Sequence, residues 1–315
     1  MGIQTILGAN GTIGSVLAKE LAAFTDQIRL VSRNPKRVNE TDDLFPADLT
    51  DPVQVDKAVE GSEIVYLMVG FEYDIKVWRD KWPKLMRATI DACEKHDARL
   101  VFFDNVYLYS IDEIGHMTED SKIEPPSEKG KVRAQIAEML MSEVSSGRLT
   151  GLIARAPDFY GPDNERSFLI ETVYKNLLKN KRPNWFIDPT KKHSFIYTPD
   201  AAKATAILGN TPEAFGEVWH LPTDKNTLTG IELIDLFNKE MNTSKRVMRV
   251  SMFMLRILGL FMPLMREMPE MMYQYDRDYF FDSGKFEKRF NFIPTAYAEG
   301  IKQIVDRREK GPVTR

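Results

Sequence analysis

Glycines 8, 11 and 14 in the run Thr5-Ile6-Leu7-Gly8-Ala9-Asn10-Gly11-Thr12-Ile13-Gly14 can together hold a dinucleotide pyrophosphate. An apolar run from Ile3 precedes them, and Ser15 to Phe24 follows with Val16, Leu17, Leu21 and Phe24 at helical spacing. A strand, a tight turn and a helix start, in that order, aim unpaired N–H groups and a positive dipole end at an anion. Gly8 permits the turn, Gly11 lets the backbone approach the phosphates, and Gly14 lets helix and strand pack closely. Asn10, Thr12 and Ile13 complete the binding loop. A sharp surface turn is the plain alternative, but it does not require this order of elements.

The end of the second strand selects between cofactors. A carboxylate about 20 residues after the glycines would accept hydrogen bonds from the adenosine ribose and repel a 2′-phosphate. Ser32 and Arg33 stand there instead, followed by Asn34, Pro35, Lys36 and Arg37. A guanidinium pairs bidentately with a phosphate and stacks on adenine. The missing acid and the adjacent arginine favour NADP over NAD; the competing reading is a solvated basic loop.

The elements that must position these residues alternate through the first half. Strands are expected at Ile3–Leu7, Ile28–Ser32, Phe45–Ala47, Ile64–Val69, Leu100–Asp104 and Gly151–Ala154. Helices are expected at Ser15–Phe24, Pro52–Val59, Asp74–Lys95 with a break near Trp82 before Pro83, and Lys131–Ser145. Alternation with unbroken apolar strands implies an α/β fold, a doubly wound parallel Rossmann sheet with its ligand at the carboxyl ends of the strands. The chain of 315 residues suggests this domain over 1–165, with a return at about 193–222, and a smaller mixed substrate-binding domain over 166–315.

The GxxGxxG spacing resembles the short-chain dehydrogenase/reductase superfamily, in its extended epimerase/dehydratase branch. Phe102–Tyr109, Arg155–Pro162, His193–Asp200 and Met268–Asp276 resemble an atypical subgroup of that branch, so the likeness runs through nearly the whole chain. It implies that Asp48, in Ala47-Asp48-Leu49-Thr50-Asp51, binds the adenine amino group, with Leu49 beside it, while Thr50 or Asp51 caps the next helix. It also implies that Met68, Val69, Gly70 and Ala156 line the cofactor, and that helices Asp74–Lys95 and Lys131–Ser145 can pair across a homodimer. The carboxyl-terminal domain is expected to close over a small-molecule substrate.

At the active site the sequence departs from that pattern. Extended-branch enzymes carry Ser or Thr three residues before a Val-Tyr pair, and Tyr four residues before a Lys. Val106-Tyr107 and Lys131 match the landmarks, but Phe103 and Ser127 replace the serine and the tyrosine. An alcohol cannot stand in for a phenol as a base near neutral pH. The resemblance implies that Lys131 binds the nicotinamide ribose and favours phenolate, and Tyr107 is the phenol expected to donate the proton. Asn105, Asp158, His193 and Tyr197 are expected at strand ends as a polar wall toward the substrate; each alone is as readily a loop or capping residue.

These residues suggest an NAD(P)-dependent oxidoreductase of the epimerase/dehydratase type; a non-catalytic NADP(H)-binding redox sensor is the alternative. A net charge of −3 gives no general drive toward nucleic acid or anionic lipid. Four scattered histidines lack zinc-ligand spacing, so no metal is expected, and no GxSxG elbow appears. The one cysteine, Cys93, on an apolar helix face, fits a buried thiol in a reducing compartment. With no leader before the first strand, a cytoplasmic protein is expected. Met252 to Met265 is apolar but interrupted by Arg256 and Pro263, and too short for a bilayer core of ~30 Å. It is expected to be a buried or substrate-covering helix.

Overall fold

A computed structural model describes residues 2–162 and 164–309. Residues 1 and 163, in the first expected domain, and residues 310–315, in the second, lie outside them. In chain order the elements are β1 (Ile3–Leu7), α1 (Thr12–Leu21), β2 (Ile28–Ser32), β3 (Asp43–Pro46), α2 (Pro52–Val59), β4 (Ser62–Leu67), α3 (Ile75–His96), β5 (Arg99–Asn105), α4 (Glu128–Ser145) and β6 (Gly151–Ala156). There follow β7 (Asp158–Tyr160), α5 (Lys175–Leu178), β8 (Asn184–Phe186), β9 (Phe195–Tyr197), α6 (Thr198–Gly209), β10 (Val218–His220) and α7 (Gly230–Glu240). The last are β11 (Met248–Val250), α8 (Met252–Leu258), α9 (Pro263–Glu267), α10 (Gly284–Phe290) and α11 (Tyr297–Glu309). The chain forms two compact units, one of Met1–Leu108, Glu128–Ala156 and Ala201–Leu221, the other of Tyr109–Ser127, Pro157–Asp200 and Pro222–Arg315.

The first unit is the expected doubly wound fold. Its seven strands run in the order β10-β6-β5-β4-β1-β2-β3, and every pairing is parallel. Strands β1, β4, β5 and β6 are buried along most of their length, because such a sheet is covered on both faces. The strand order turns around at β1, which pairs with β2 on one side and β4 on the other. In sheets of this kind the ligand crevice lies outside the carboxyl ends at such a point, and here the glycine turn leaves β1.

Helix α3 corrects the expected break at Pro83, for it runs unbroken through the proline. Proline removes one intrahelical bond, but Trp78, Trp82, Leu85 and Met86 lie buried on one stripe and hold the helix to the sheet. Asp74 Oδ1 caps its start by accepting from Lys76 N at 2.7 Å, and Asp97 ends it in the left-handed region. Cys93 is buried on the same stripe, and burial raises its thiol pKa. Helix α4 starts at Glu128, three residues earlier than expected.

The second unit is held by two small parallel pairs, β7 with β9 and β8 with β11, around an aromatic core. Phe168 lies within 5.1 Å of the rings of Trp185, Phe186 and Tyr275. Met252–Met265 is not a buried helix. It folds as α8 and α9, short and joined by an exposed turn, with most of its large apolar side chains in solvent. Pro263, which cannot continue α8, starts α9 at its first position. Among the described residues no helix is long and apolar enough to cross a membrane.

Candidate cofactor and active site

The glycine turn is built by backbone alone. Gly8 N and Ala9 N both donate to Val31 O, at 3.0 and 3.1 Å, and Gly11 N donates to Gly8 O at 3.0 Å. Gly8 has φ of +93°, and a Cβ there would lie 2.9 Å from Val69 N, so the turn excludes any other residue. A Cβ at Gly14 would lie 2.8 Å from Gly8 O, which the first turn of α1 approaches that closely. Gly11 is the N-cap and brings no capping side chain, so α1 opens with its first-turn amides uncapped at Thr12, Ile13 and Gly14. Asn10 serves the loop instead: its Nδ2 donates to Asn34 O at 2.7 Å and its Oδ1 accepts from Lys36 N at 3.3 Å. It ties the glycine turn to the segment after β2.

At the end of β2, Ser32 Oγ is buried with no hydrogen-bond partner. A buried hydroxyl left unsatisfied in this way needs an explanation, and a ligand group is one. Arg33 beside it is exposed. Asp48 Oδ1 accepts from Thr50 N at 3.0 Å and from Thr50 Oγ1 at 2.8 Å, and these bonds hold its carboxyl below the usual range. Asp51 caps α2 by accepting from Val53 N, so the two aspartates take different tasks. Leu49 and Val69 are half-buried against the core, Met68 is buried, Gly70 is exposed, and Ala156 is buried opposite Asn105.

The candidate catalytic residues are less closely gathered. Tyr107 is half-buried, with its ring stacked on Trp78 at 6.2 Å, and its N–H donates to Asn105 Oδ1 at 3.1 Å. Asn105 thereby closes the turn after β5. Lys131 lies in the first turn of α4, exposed, with Nζ donating to Glu128 Oε1 at 2.6 Å. Glu128 also pairs with Arg79, and the two cations hold its carboxyl below the usual range. The buried lysine of this turn is Lys129, whose ammonium lies 4.7 Å from the Tyr73 ring centroid.

One residue was not singled out from sequence. The Tyr273 hydroxyl is hydrogen-bonded to Ser127, the residue standing where the extended branch carries its tyrosine. Burial pushes the Tyr273 phenol up to about 12, so it is protonated at neutral pH. Met268–Asp276 contains it, but 146 positions separate it from Ser127 and no local pattern joins them.

The polar wall separates into parts. Asp158 and His193 do not end strands as expected: Asp158 starts β7, and His193 lies two residues ahead of β9. Parallel pairing of β7 with β9 brings them together, with His193 Nε2 2.9 Å from Asp158 Oδ2. Tyr275 donates to the same oxygen at 3.0 Å, and His193 is stacked between Tyr275 and Tyr279. Tyr197 does end β9, but it is buried and its hydroxyl donates to Gln303.

The model of the family described as "NAD dependent epimerase/dehydratase family" matches residues 5–221. No curated protein matches the sequence significantly. Among solved structures, a dTDP-glucose 4,6-dehydratase from Streptomyces venezuelae with NAD bound aligns over 98% of this chain and 97% of its own, with TM-score 0.79 and 17% identity. A UDP-glucuronic acid 4-epimerase from Bacillus cereus, in complex with NAD, aligns over 98% of both chains with TM-score 0.78 and 17% identity. A UDP-N-acetylglucosamine 4-epimerase from Methanobrevibacter ruminantium aligns over 98% of both chains, with TM-score 0.80 and 16% identity. At these identities the likeness is one of fold.

Proposed function

Because this chain belongs to the NAD dependent epimerase/dehydratase family, we propose that it is an NAD(P)-dependent oxidoreductase acting on a carbonyl or carbinol carbon of a small molecule. The observation that carries the reading is the glycine cradle, which a Cβ at Gly8 or Gly14 would fill and on which α1 opens uncapped. Gly8, Gly11 and the amides of Thr12, Ile13 and Gly14 would hold the pyrophosphate. Ser32 Oγ, buried and unsatisfied, would meet the adenosine ribose, with Asp48 and Leu49 beside the adenine. Met68, Val69, Gly70 and Ala156 would line the remainder. When bound, nicotinamide supplies the hydride chemistry.

The dTDP-glucose 4,6-dehydratase and UDP-glucuronic acid 4-epimerase structures contain NAD. Preference for NADP in this chain rests on two residues: Ser32, which leaves the end of β2 without a carboxylate, and the exposed Arg33. The neighbours' names are those of nucleotide-sugar enzymes, which makes a nucleotide sugar the first substrate class to try.

Proton transfer falls to a phenol, since Phe103 has no polar group and Ser127 is too weak an acid. Tyr273, hydrogen-bonded to Ser127, brings a protonated phenol to that position; Tyr107 is the second candidate. Lys131 would exchange its partner Glu128 for ribose hydroxyls. In the second unit, Asp158, His193 and Tyr275 form the polar cluster proposed to contact substrate, whereas Tyr197 is spent on Gln303.

The competing reading, a redox sensor without turnover, draws on the same replacements, Phe103 and Ser127. Identifying the co-purified cofactor, then following NADPH absorbance across nucleotide sugars and simpler carbonyls, separates the two. Oxidation with any substrate supports the enzyme. A partner whose affinity follows the cofactor's redox state, with no turnover, supports the sensor.

A further inference from the structure

Helices α8 and α9 and the turn between them expose apolar side chains in a way a water-facing surface does not require. Phe253 is 71% exposed, Leu260 72% and Phe261 80%, and Met254, Ile257, Leu258, Met262 and Leu264 are exposed as well. Singly exposed apolar residues are ordinary, but eight within twelve positions form a patch with a purpose. The hairpin is held in place. Ser251 caps α8 by accepting from Met254 N, Leu255 is buried beneath, and Arg266 Nε donates to Gly259 O at 3.2 Å across the turn.

Two features identify what covers it. The first is the distribution of exposure around α8. Here Phe253, Met254, Ile257 and Leu258 are exposed at i, i+1, i+4 and i+5, one face of α8, while Leu255 is buried and Met252 half-buried on the other side. An exposed apolar face of this kind is what an interfacial helix lays into the headgroup boundary of a bilayer. The second is charge. From Met241 to Arg266 the chain has five basic residues, Lys245, Arg246, Arg249, Arg256 and Arg266, and no acidic one, although its net charge is −3. Four of these, Arg246, Arg249, Arg256 and Arg266, are exposed. Arg182 reinforces them at the start of β11, where its guanidinium donates to Arg246 O and Val247 O at 3.2 and 2.7 Å. Exposed apolar side chains flanked along the chain by arginines complement a bilayer whose headgroup layer is anionic.

We propose that the α8–α9 hairpin docks this protein onto the surface of an anionic lipid bilayer. Phe253, Leu260 and Phe261 enter the boundary between headgroups and acyl chains, and Arg246, Arg249, Arg256 and Arg266 bind the phosphates. At seven and five residues the helices are far too short to span, so the attachment is interfacial and reversible. The overall charge gives no general drive toward anionic lipid; the attraction proposed here is local, from a segment with five basic residues and no acidic one.

The test is flotation of the full chain with vesicles of phosphatidylcholine alone and of phosphatidylcholine with phosphatidylserine. The wild type is expected to float with the anionic vesicles and to be released by salt, as screening weakens the arginines. The double variant Leu260→Glu and Phe261→Glu should lose about 100-fold or more in partitioning, the scale of two large apolar side chains leaving water. Arg246→Ala and Arg249→Ala should each cost about five-fold. Both apolar positions are solvent-exposed, so unfolding is not expected of the double variant, and its thermal midpoint verifies this. Absence of binding to anionic vesicles, or equal binding by the double variant, overturns the proposal. So does equal binding to neutral vesicles. Concentration-dependent self-association that the double variant abolishes, with vesicles ignored, would assign the patch to a second copy instead.

Discussion

Asp104 offers the sharpest test of how the carboxyl end of the sheet is held. It is fully buried near the end of β5, between two buried arginines from different elements. Arg133, on α4, donates from Nε to Oδ1 at 2.8 Å and again from Nη2. Arg155, on β6, donates to Oδ2 from Nε at 3.2 Å and from Nη2 at 3.1 Å. Each carboxylate oxygen thus accepts a forked pair of charge-assisted bonds. Asp104→Asn keeps the volume but removes the charge, leaving two buried guanidinium groups without this carboxylate. Breaking a buried pair by deleting one partner costs about 3–5 kcal/mol, against at most about 1 for an exposed pair. At about 2–4 °C per kcal/mol for chains approaching this size, the thermal midpoint should fall by roughly 6–20 °C. Urea unfolding should show a lower midpoint with little change in slope. Replacing all three residues by Leu, Met and Met should be far milder, because no buried charge remains. A loss below about 1 kcal/mol in Asp104→Asn would refute this account of the triad.

Four further outcomes are expected. Arg33→Ala should weaken NADP by about one to two decades and leave NAD nearly unchanged, measured by calorimetric titration. Gly8→Ala should abolish dinucleotide binding and lower the thermal midpoint, since its φ of +93° and the 2.9 Å approach of Val69 N both oppose a side chain. Tyr273→Phe should reduce turnover about 100-fold with cofactor affinity intact, and a larger loss in Tyr107→Phe would make Tyr107 the donor. Alkaline stability follows from the same phenol. Because its folded pKa is raised to about 12, the unfolded chain releases the proton first, and stability fully present below pH 10 falls as pH approaches 12. Tyr273→Phe should flatten that slope in unfolding curves between pH 10 and 12; Tyr66, Tyr160 and Tyr297, also raised by burial, keep part of it.

What the sequence made legible is local. The glycine spacing, the alternation of strand and helix and the arginine after β2 are each contained within a few turns of chain, and the parallel sheet follows from them. Pro83 misled because its cost is local while the packing of Trp78, Trp82 and Met86 that outweighs it is not. Asp158 and His193 looked like strand ends because strand direction shows in sequence but the register of β7 on β9 does not. Helical phase explains why Lys129 turns inward and Lys131 outward, a choice the lysine pattern alone leaves open. The partnership of Tyr273 with Ser127 and the exposure of Phe253 to Leu264 depend on distant neighbours. Hydrophobicity tells that a side chain seeks cover, not whether the fold provides it.

The first unit is assembled from three stretches of chain, and this sets the order in which it can be made. Strand β10 pairs with β6 through Val218↔Ile153 and Trp219↔Ala154, yet some 60 residues separate the end of one from the start of the other. During synthesis, β6 therefore emerges as an apolar edge with its outer N–H and C=O groups unpaired, the kind of template that recruits foreign strands. At about 5–20 residues per second that edge waits for roughly 3–12 s before β10 can cover it. The six strands formed earlier must then hold their register without their last neighbour, a demand that falls on β5 and β6. The Asp104 carboxylate fastens those two strands through Arg155, and α4 through Arg133, before β10 exists. A substitution there should reach the cell as aggregation of the nascent chain, at temperatures where the finished protein is still folded.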